Sequence, residues 1–143
     1  MKRMFLLSML LICGCSTVGT KLTATHPCTP NITEQGNFFA GTVFKCSKEY
    51  ANISKEKAFD KIVSSMAING YHINNSNKEL GLISAALPVT AGKGQTVPMN
   101  VVVNKEANKQ IKVSATINIP GGVMGGGDET TNYFCTVYNA LEN

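Results

Sequence analysis

Apolar residues recur three or four positions apart in two stretches of this chain, and this spacing predicts two amphipathic helices. The apolar positions are Phe59, Ile62, Val63 and Met66 in the first stretch, and Phe134, Val137, Tyr138 and Leu141 in the second. Ser54 and Asp128, which precede the two stretches, are residue types that cap the N-terminus of a helix. Gly70 can adopt the left-handed conformation that ends the first helix. Each helix is therefore expected to bury one face.

Strict alternation of apolar and polar residues predicts strands in the second half of the chain. From residue 111 to residue 119 every second residue is apolar, and the intervening residues are Lys112, Ser114, Thr116 and Asn118. Residues 97–103 alternate in a similar way, and the polar residues 104–109 form a turn between the two runs. The pattern predicts an antiparallel hairpin with one buried and one solvent-exposed face.

Three further runs rich in apolar, β-branched or aromatic residues predict strands at residues 38–46, 71–73 and 81–87. The predicted order is β-α-β-β-β-β-α. A half-exposed antiparallel sheet and two one-sided helices bury their apolar surfaces if both helices lie on the same face of the sheet. The sequence therefore predicts an α+β fold with one antiparallel sheet of about five strands, in a single domain over residues 37–143.

The spacing of several apolar and glycine residues resembles that of small helix-grip domains in envelope lipoproteins, such as the C lipoprotein of the β-barrel assembly machinery. The residues that carry the resemblance are Ala58, Ile62 and Met66, then Gly70-Tyr71-x-Ile73, then Gly81-x-Ile83-x-Ala85. The resemblance covers about residues 38–142 and implies the fold. Because most of these positions are structural, it implies little about function.

The first fifteen residues bear on the location of the protein. Lys2 and Arg3 precede an apolar run over residues 4–12, which is shorter than the roughly twenty residues that a membrane-spanning helix needs. A positive start, a short apolar core and small residues are typical of a secretory signal peptide. We therefore assign residues 1–14 to a signal peptide.

The end of this segment, Ile12-Cys13-Gly14-Cys15, resembles the lipobox of bacterial lipoproteins. The resemblance implies cleavage after Gly14, a diacylglycerol on the sulfur of Cys15 and a further acyl chain such as palmitate on its amine. Cys13 departs from the Ala, Ser or Thr that is usual at its position. Ser16 stands where an Asp would retain a lipoprotein at the inner membrane, so the resemblance implies an outer-membrane anchor.

Residues 20–35 include Pro27 and Pro30 and show no periodicity, so we predict a flexible tether over residues 15–36, between the lipid and the domain.

The net charge bears on whether the protein could bind nucleic acid. The whole chain carries 13 basic and 9 acidic residues, and two of the basic ones lie in the signal peptide, which leaves 11 − 9 = +2. The basic residues are scattered, so no nucleic-acid binding is expected.

Cysteines in an exported chain meet an oxidising compartment and are expected to pair. Apart from Cys15, the predicted mature chain contains Cys28, Cys46 and Cys135. Cys46 lies in the first predicted strand and Cys135 in the last predicted helix, and we predict a disulfide between them. Cys28, in the predicted tether, would then be free or intermolecular. A Cys28–Cys46 disulfide is the competing assignment.

Candidate sites for chemistry are few. The glycine-rich loop at residues 121–127 precedes a helix, but Asp128 and Glu129 follow where a P-loop has Lys and Ser or Thr, so we interpret it as a flexible connector. His26 and Cys28 lie two positions apart, but no second ligand pair completes a site, so no metal or other cofactor is expected. Neither a nucleophile motif nor a pair of carboxylates indicates an enzyme.

The expected function is that of a non-enzymatic, lipid-anchored protein of the bacterial envelope, on the periplasmic side of the outer membrane. Its domain is expected to bind another protein through the polar sheet face or through the glycine-rich loop. The expected contact residues on the sheet are Lys112, Ser114, Thr116 and Asn118. A periplasmic inhibitor or immunity protein is one alternative that the sequence leaves open, and a structural spacer is another.

Overall fold

The computed structural model describes residues 20–21, 26–88, 94–123 and 127–142, which form one antiparallel sheet and two helices. The elements are β1 (Thr20–Lys21), β2 (Thr33–Asn37), β3 (Gly41–Tyr50), α1 (Lys55–Ile68), β4 (His72–Asn77), β5 (Leu82–Pro88), β6 (Thr96–Lys105), β7 (Ile111–Ile119) and α2 (Gly127–Glu142). The strand order across the sheet is β1-β2-β3-β7-β6-β5-β4. The predicted α+β class, with a single antiparallel sheet and two helices, is confirmed.

The sheet has more strands than predicted, because β1 and β2 precede the first predicted strand. The predicted strand at residues 38–46 instead begins with a turn, and β3 starts at Gly41. The side-chain oxygen Oδ1 of Asn37 accepts hydrogen bonds from the backbone amides of Phe39 and Ala40, at 3.0 and 2.9 Å. An Asn side chain that satisfies two backbone amides in this way stabilises a turn and competes with strand pairing.

Both predicted helices are present, and they contact each other. The hydroxyl of Ser54 accepts a hydrogen bond from the backbone N–H of Lys57 at 3.2 Å and so caps α1. Gly70, with φ of 84°, follows the last turn of α1. Between the helices, the hydroxyl of Ser65 donates to the backbone carbonyl of Thr136 at 2.8 Å. The two helices are therefore joined by packing and by a hydrogen bond.

One core lies between the helices and one face of the sheet. The largest group of buried strand residues comes from β6 and β7: Val97, Met99, Val101, Val103, Ile111, Val113, Ala115, Ile117 and Ile119, each 5% exposed or less. These residues belong to the same buried cluster as Ile62 and Met66 of α1 and Phe134 and Tyr138 of α2. Burying an aliphatic side chain of this size contributes about 1.5–3 kcal/mol. Both helices therefore cover the same face, as the alternation predicted.

Residues 26–32, which we call the covering segment, close this core at the side of β3. Cys28 and Ile32 are only 2% and 4% exposed. Lys48 of β3 donates from Nζ to the backbone carbonyl of Pro27 at 3.5 Å, and it also pairs with Glu142 at the end of α2. The folded domain therefore begins before residue 37. The structure differs from the predicted tether, residues 15–36, at residues 20–21, which form β1, and over residues 26–36, where two apolar side chains are buried and β2 joins the sheet.

The predicted signal peptide, residues 1–14, and Cys15 lie outside the described residues. Within the part of the chain that the structure describes, no helix is long and apolar enough to cross a membrane.

Candidate functional site

The disulfide of this domain joins Cys28 to Cys135, whose Cα atoms are 5.4 Å apart. The predicted Cys46–Cys135 pair is therefore wrong, and so is the competing Cys28–Cys46 pair. The reason lies in how α2 packs on β3. The side chain of Tyr138 fills the space beside Cys46, and its hydroxyl donates to the carbonyl oxygen of Cys46 at 2.7 Å. Cys135, three positions earlier on α2, instead faces the covering segment and Cys28.

Cys46 remains a free thiol inside the core, with 3% of its surface exposed. Burial raises the pKa of the Cys46 thiol, although the neighbouring Tyr138 side chain acts in the opposite direction. Because the thiolate is the reactive form of cysteine, a raised pKa and the lack of solvent access make this thiol inert in the folded state. Cys46 therefore contributes packing rather than chemistry.

The imidazole of His26 lies beside the disulfide. Its Nδ1 atom is 3.0 Å from the sulfur of Cys28 and 3.4 Å from that of Cys135. The imidazole nitrogen and the two sulfurs lie within 4.8 Å of one another. Cys135, which is distant in the sequence, therefore adds a third potential metal ligand beside His26 and Cys28. A cysteine binds a metal as its thiolate, and the two cysteine sulfurs here are bonded to each other instead. In the oxidised state the cluster is therefore a covalent cross-link between the covering segment and α2.

The uncovered side of the sheet, which we call the open face, contains the predicted contact residues Lys112, Ser114, Thr116 and Asn118. All four are half-buried on β7, and they alternate with core residues as predicted. Their neighbours on the same face come from the flanking strands: Val43, Lys45, Ser47 and Glu49 on β3, and Pro98, Asn100, Val102 and Asn104 on β6. The structure therefore places the predicted residues in one row at the centre of a wider, mainly polar surface.

The open face carries few charged side chains on β3 and β7, and only some of them face an opposite charge on the neighbouring strand. Glu49 of β3 lies directly opposite Lys112 of β7, so the two charges are complementary. Lys45 lies opposite Thr116 and so has no acid across from it on β7. The middle of the face is uncharged, with Ser47 opposite Ser114. Hydroxyl, amide and small apolar groups dominate, and such groups can hydrogen-bond to a partner but are poor general acids or bases.

A pocket of about 330 Å³ borders the open face where β3 and β7 meet the covering segment. Its lining residues are Pro30, Asn31, Ser47, Lys48, Glu49 and Lys112. The complementary pair Glu49 and Lys112 therefore forms one wall of a concave site, next to the flat centre of the open face. Sequence reasoning had identified Lys112 but not the covering segment that completes the pocket.

The described part of the glycine-rich loop packs against the turn between β2 and β3. The backbone N–H of Gly122 donates to the carbonyl oxygen of Phe38 at 2.9 Å. Gly121 approaches the carbonyl oxygen of Phe39 so closely that a Cβ atom would lie 2.3 Å from it. Residues 124–126 of the loop lie outside the described residues. This turn was missed in the sequence, although Gly36-Asn37 and Gly41 are turn signals that could have indicated it.

A comparison with protein-family models and with curated proteins found no match for this chain.

Proposed function

We propose that this chain is a lipid-anchored protein of the bacterial envelope, and that its domain binds a protein partner through the open face. The observation that carries the proposal is the row of four half-buried polar residues on β7 at the centre of the uncovered sheet face. A sheet face that two helices do not cover presents a broad surface with its backbone already paired. Binding there requires little ordering of the chain, which favours recognition.

The chemistry of the open face supports recognition rather than catalysis. Among the described residues of the open face, one pair of opposite charges faces across neighbouring strands, Glu49 on β3 and Lys112 on β7. The remaining central groups are hydroxyls and amides, which position a partner by hydrogen bonds. The pocket beside the covering segment would accept a side chain of the partner that carries its own hydrogen-bonding groups.

The proposed anchor is the lipid on Cys15, at the end of the lipobox-like Ile12-Cys13-Gly14-Cys15. One acyl chain holds a protein at a membrane only marginally, whereas two or more hold it stably, since each buried methylene contributes about 0.8 kcal/mol. A diacylglycerol on the sulfur and palmitate on the amine would exceed that threshold. The domain would then act at the periplasmic side of the outer membrane.

The anchor is tested by Cys15→Ser in cells grown with a fatty-acid probe. The wild-type chain should incorporate the probe and be shortened by the lipoprotein signal peptidase, and the variant should do neither. Undiminished labelling of the Cys15→Ser chain would disprove the anchor. That result would leave the open face untouched, because the two proposals depend on different residues.

The open face is tested by crosslinking in intact cells, followed by purification of the chain with its captured partner. The test variant combines Lys112→Glu with Thr116→Glu, which places two new negative charges on the open face. The matched control combines Lys57→Glu with Ser64→Glu on the exposed side of α1 and changes the net charge by the same amount. The wild-type chain and the control should capture the same partner, and the test variant should capture much less. Equal capture by all three would exclude the open face as the contact.

A further inference from the structure

Two phenylalanine side chains project from the turn at residues 37–41, which we call the phenylalanine turn. Phe39 is 90% exposed and Phe38 is 47% exposed. Their rings contact each other edge to face, with centroids 5.5 Å apart, and so form one small apolar knob. Large apolar side chains that are this exposed in a cluster usually mark a contact surface.

The backbone of the phenylalanine turn is fixed from two sides. From within, Oδ1 of Asn37 accepts hydrogen bonds from the amides of Phe39 and Ala40. From outside, Gly122 donates its amide hydrogen to the carbonyl oxygen of Phe38, while Gly121 fits closely against Phe39. With both carbonyl oxygens held against the glycine-rich loop, the two rings point outward. Their exposure is therefore built into the turn.

The phenylalanine turn and the glycine segment that packs against it contain no charged side chain. Residues 36–41 and residues 120–123, which pack against each other, contain no Asp, Glu, Lys, Arg or His. Removing a charged group from water costs free energy, whereas removing an apolar group from water is favourable. This uncharged turn, with its two exposed rings, can therefore enter an apolar phase, such as the boundary between lipid headgroups and acyl chains, without carrying a charge of its own into it.

The pairing of β1 with β2 sets the direction from which the chain reaches the sheet. Thr20 lies opposite Glu34, and Lys21 lies opposite Thr33, in antiparallel register. Moving backward along β1 is therefore moving forward along β2, toward the phenylalanine turn. Cys15 precedes Thr20 by five residues, which span at most about 18 Å. Phe39 likewise follows Glu34 by five residues, so the proposed lipid lies within reach of the end of the sheet that carries the knob.

We propose that the phenylalanine turn is a second membrane anchor, which inserts Phe38 and Phe39 into the interfacial region of the lipid bilayer that holds the lipid of Cys15. This inference rests on the proposed lipid anchor, which keeps the turn at the membrane. A tether at one point leaves a domain free to rotate, whereas a lipid and an inserted turn together fix its orientation. The strands then rise from the membrane at the phenylalanine turn, and the open face stays available to a partner.

The test uses the chain as bacterial cells process and export it, reconstituted with vesicles of phosphatidylethanolamine and phosphatidylglycerol. The protein contains no tryptophan, so Phe39→Trp introduces a single fluorescent reporter at the knob. The matched control is Leu80→Trp, at a 60% exposed apolar position in the β4–β5 turn, at the opposite end of the sheet. On reconstitution, the emission of the Phe39→Trp chain should shift to shorter wavelength. Lipids brominated on their acyl chains should quench it several-fold more than the emission of the Leu80→Trp chain.

Flotation of the chain with the vesicles, measured in the same samples, separates the two proposals. If the chain floats but the two tryptophans are quenched equally, the phenylalanine turn does not insert and the inference is wrong. If the chain does not float, the lipid anchor is wrong, and titration of the Phe39→Trp chain with vesicles then tests the knob alone. A vesicle-dependent blue shift would still support insertion, and an unchanged spectrum would overturn it.

Discussion

The two faces of strand β7 differ in burial, in polarity and in the role that we assign to them. The residues that point toward the helices, from Ile111 to Ile119, are 5% exposed or less, whereas those between them are half-buried and polar. Adjacent residues on one strand therefore have opposite roles. The difference shows that the fold and the proposed binding surface are carried by alternate positions, so each can be changed without the other.

The comparison is tested most severely by placing an acid on each face of β7 in turn. Ile117 is fully buried and lies opposite Phe44 on β3 and Met99 on β6. The substitution Ile117→Asp removes its core packing and buries a charge without a partner. Losing a large core side chain alone destabilises by about 2–5 kcal/mol, and the carboxylate adds to it, so we expect the domain to unfold. Circular dichroism and urea denaturation measure the loss.

The neighbouring substitution Thr116→Asp is the control, because it puts the same group on the open face. The new carboxylate lies opposite Lys45 on the half-exposed side of the strand, so the free energy of unfolding should change by less than about 1 kcal/mol. Similar losses from both substitutions would contradict the separation of the two faces.

A smaller effect is expected from the disulfide, which fastens the covering segment to the core side of the sheet. Replacing both partners, Cys28→Ser and Cys135→Ser, opens a loop that is closed over 107 positions. The chain-entropy relation gives a loss of about 4–5 kcal/mol for a loop of this length. Urea denaturation with and without a reducing agent measures it, and the double variant should no longer respond to the reducing agent.

Cys46→Ala provides the control for this pairing. It removes only a buried thiol, so its stability should still fall when the disulfide is reduced. If instead Cys46→Ala abolished the response to the reducing agent, Cys46 would be a partner in the disulfide, contrary to the structure.

The smallest effect concerns the open face itself. In the combined variant Lys112→Glu and Thr116→Glu, the first change sets an acid opposite Glu49, and the second sets an acid opposite Lys45. The first change loses an attractive cross-strand pair and creates a repulsive one, and the second creates an attractive one. Each pair contributes about 0.2–1 kcal/mol, so the net cost is about that of one pair. We expect a net change in unfolding free energy of under about 1 kcal/mol. A loss of several kcal/mol would mean that the open face also supports the fold.

Much of this molecule was predictable from the sequence, because its elements depend on local periodicity. The three- and four-residue spacing of Phe59, Ile62 and Met66 places them on one side of any helix that they form. In the same way, the alternation around Thr116 fixes which residues of β7 share a face. Both patterns predict which side chains are buried without any information on what those faces contact, and the α+β class follows from them.

The tertiary structure decided which residues that are distant in the chain contact each other, and local sequence patterns do not contain this information. Three of the five cysteines, Cys28, Cys46 and Cys135, follow the predicted lipid anchor, and nothing in their local sequence favours one pairing. The pairing followed only from the packing of α2, in which Tyr138 fills the space at Cys46 and Cys135 faces the covering segment. The phenylalanine turn also depends on contacts between distant residues. Its residues favour a strand, but Asn37 bends the backbone, and glycines from a loop about eighty positions away hold it. Periodicity reports which side of an element is buried, but the neighbour that buries it is chosen by the packing of the whole chain.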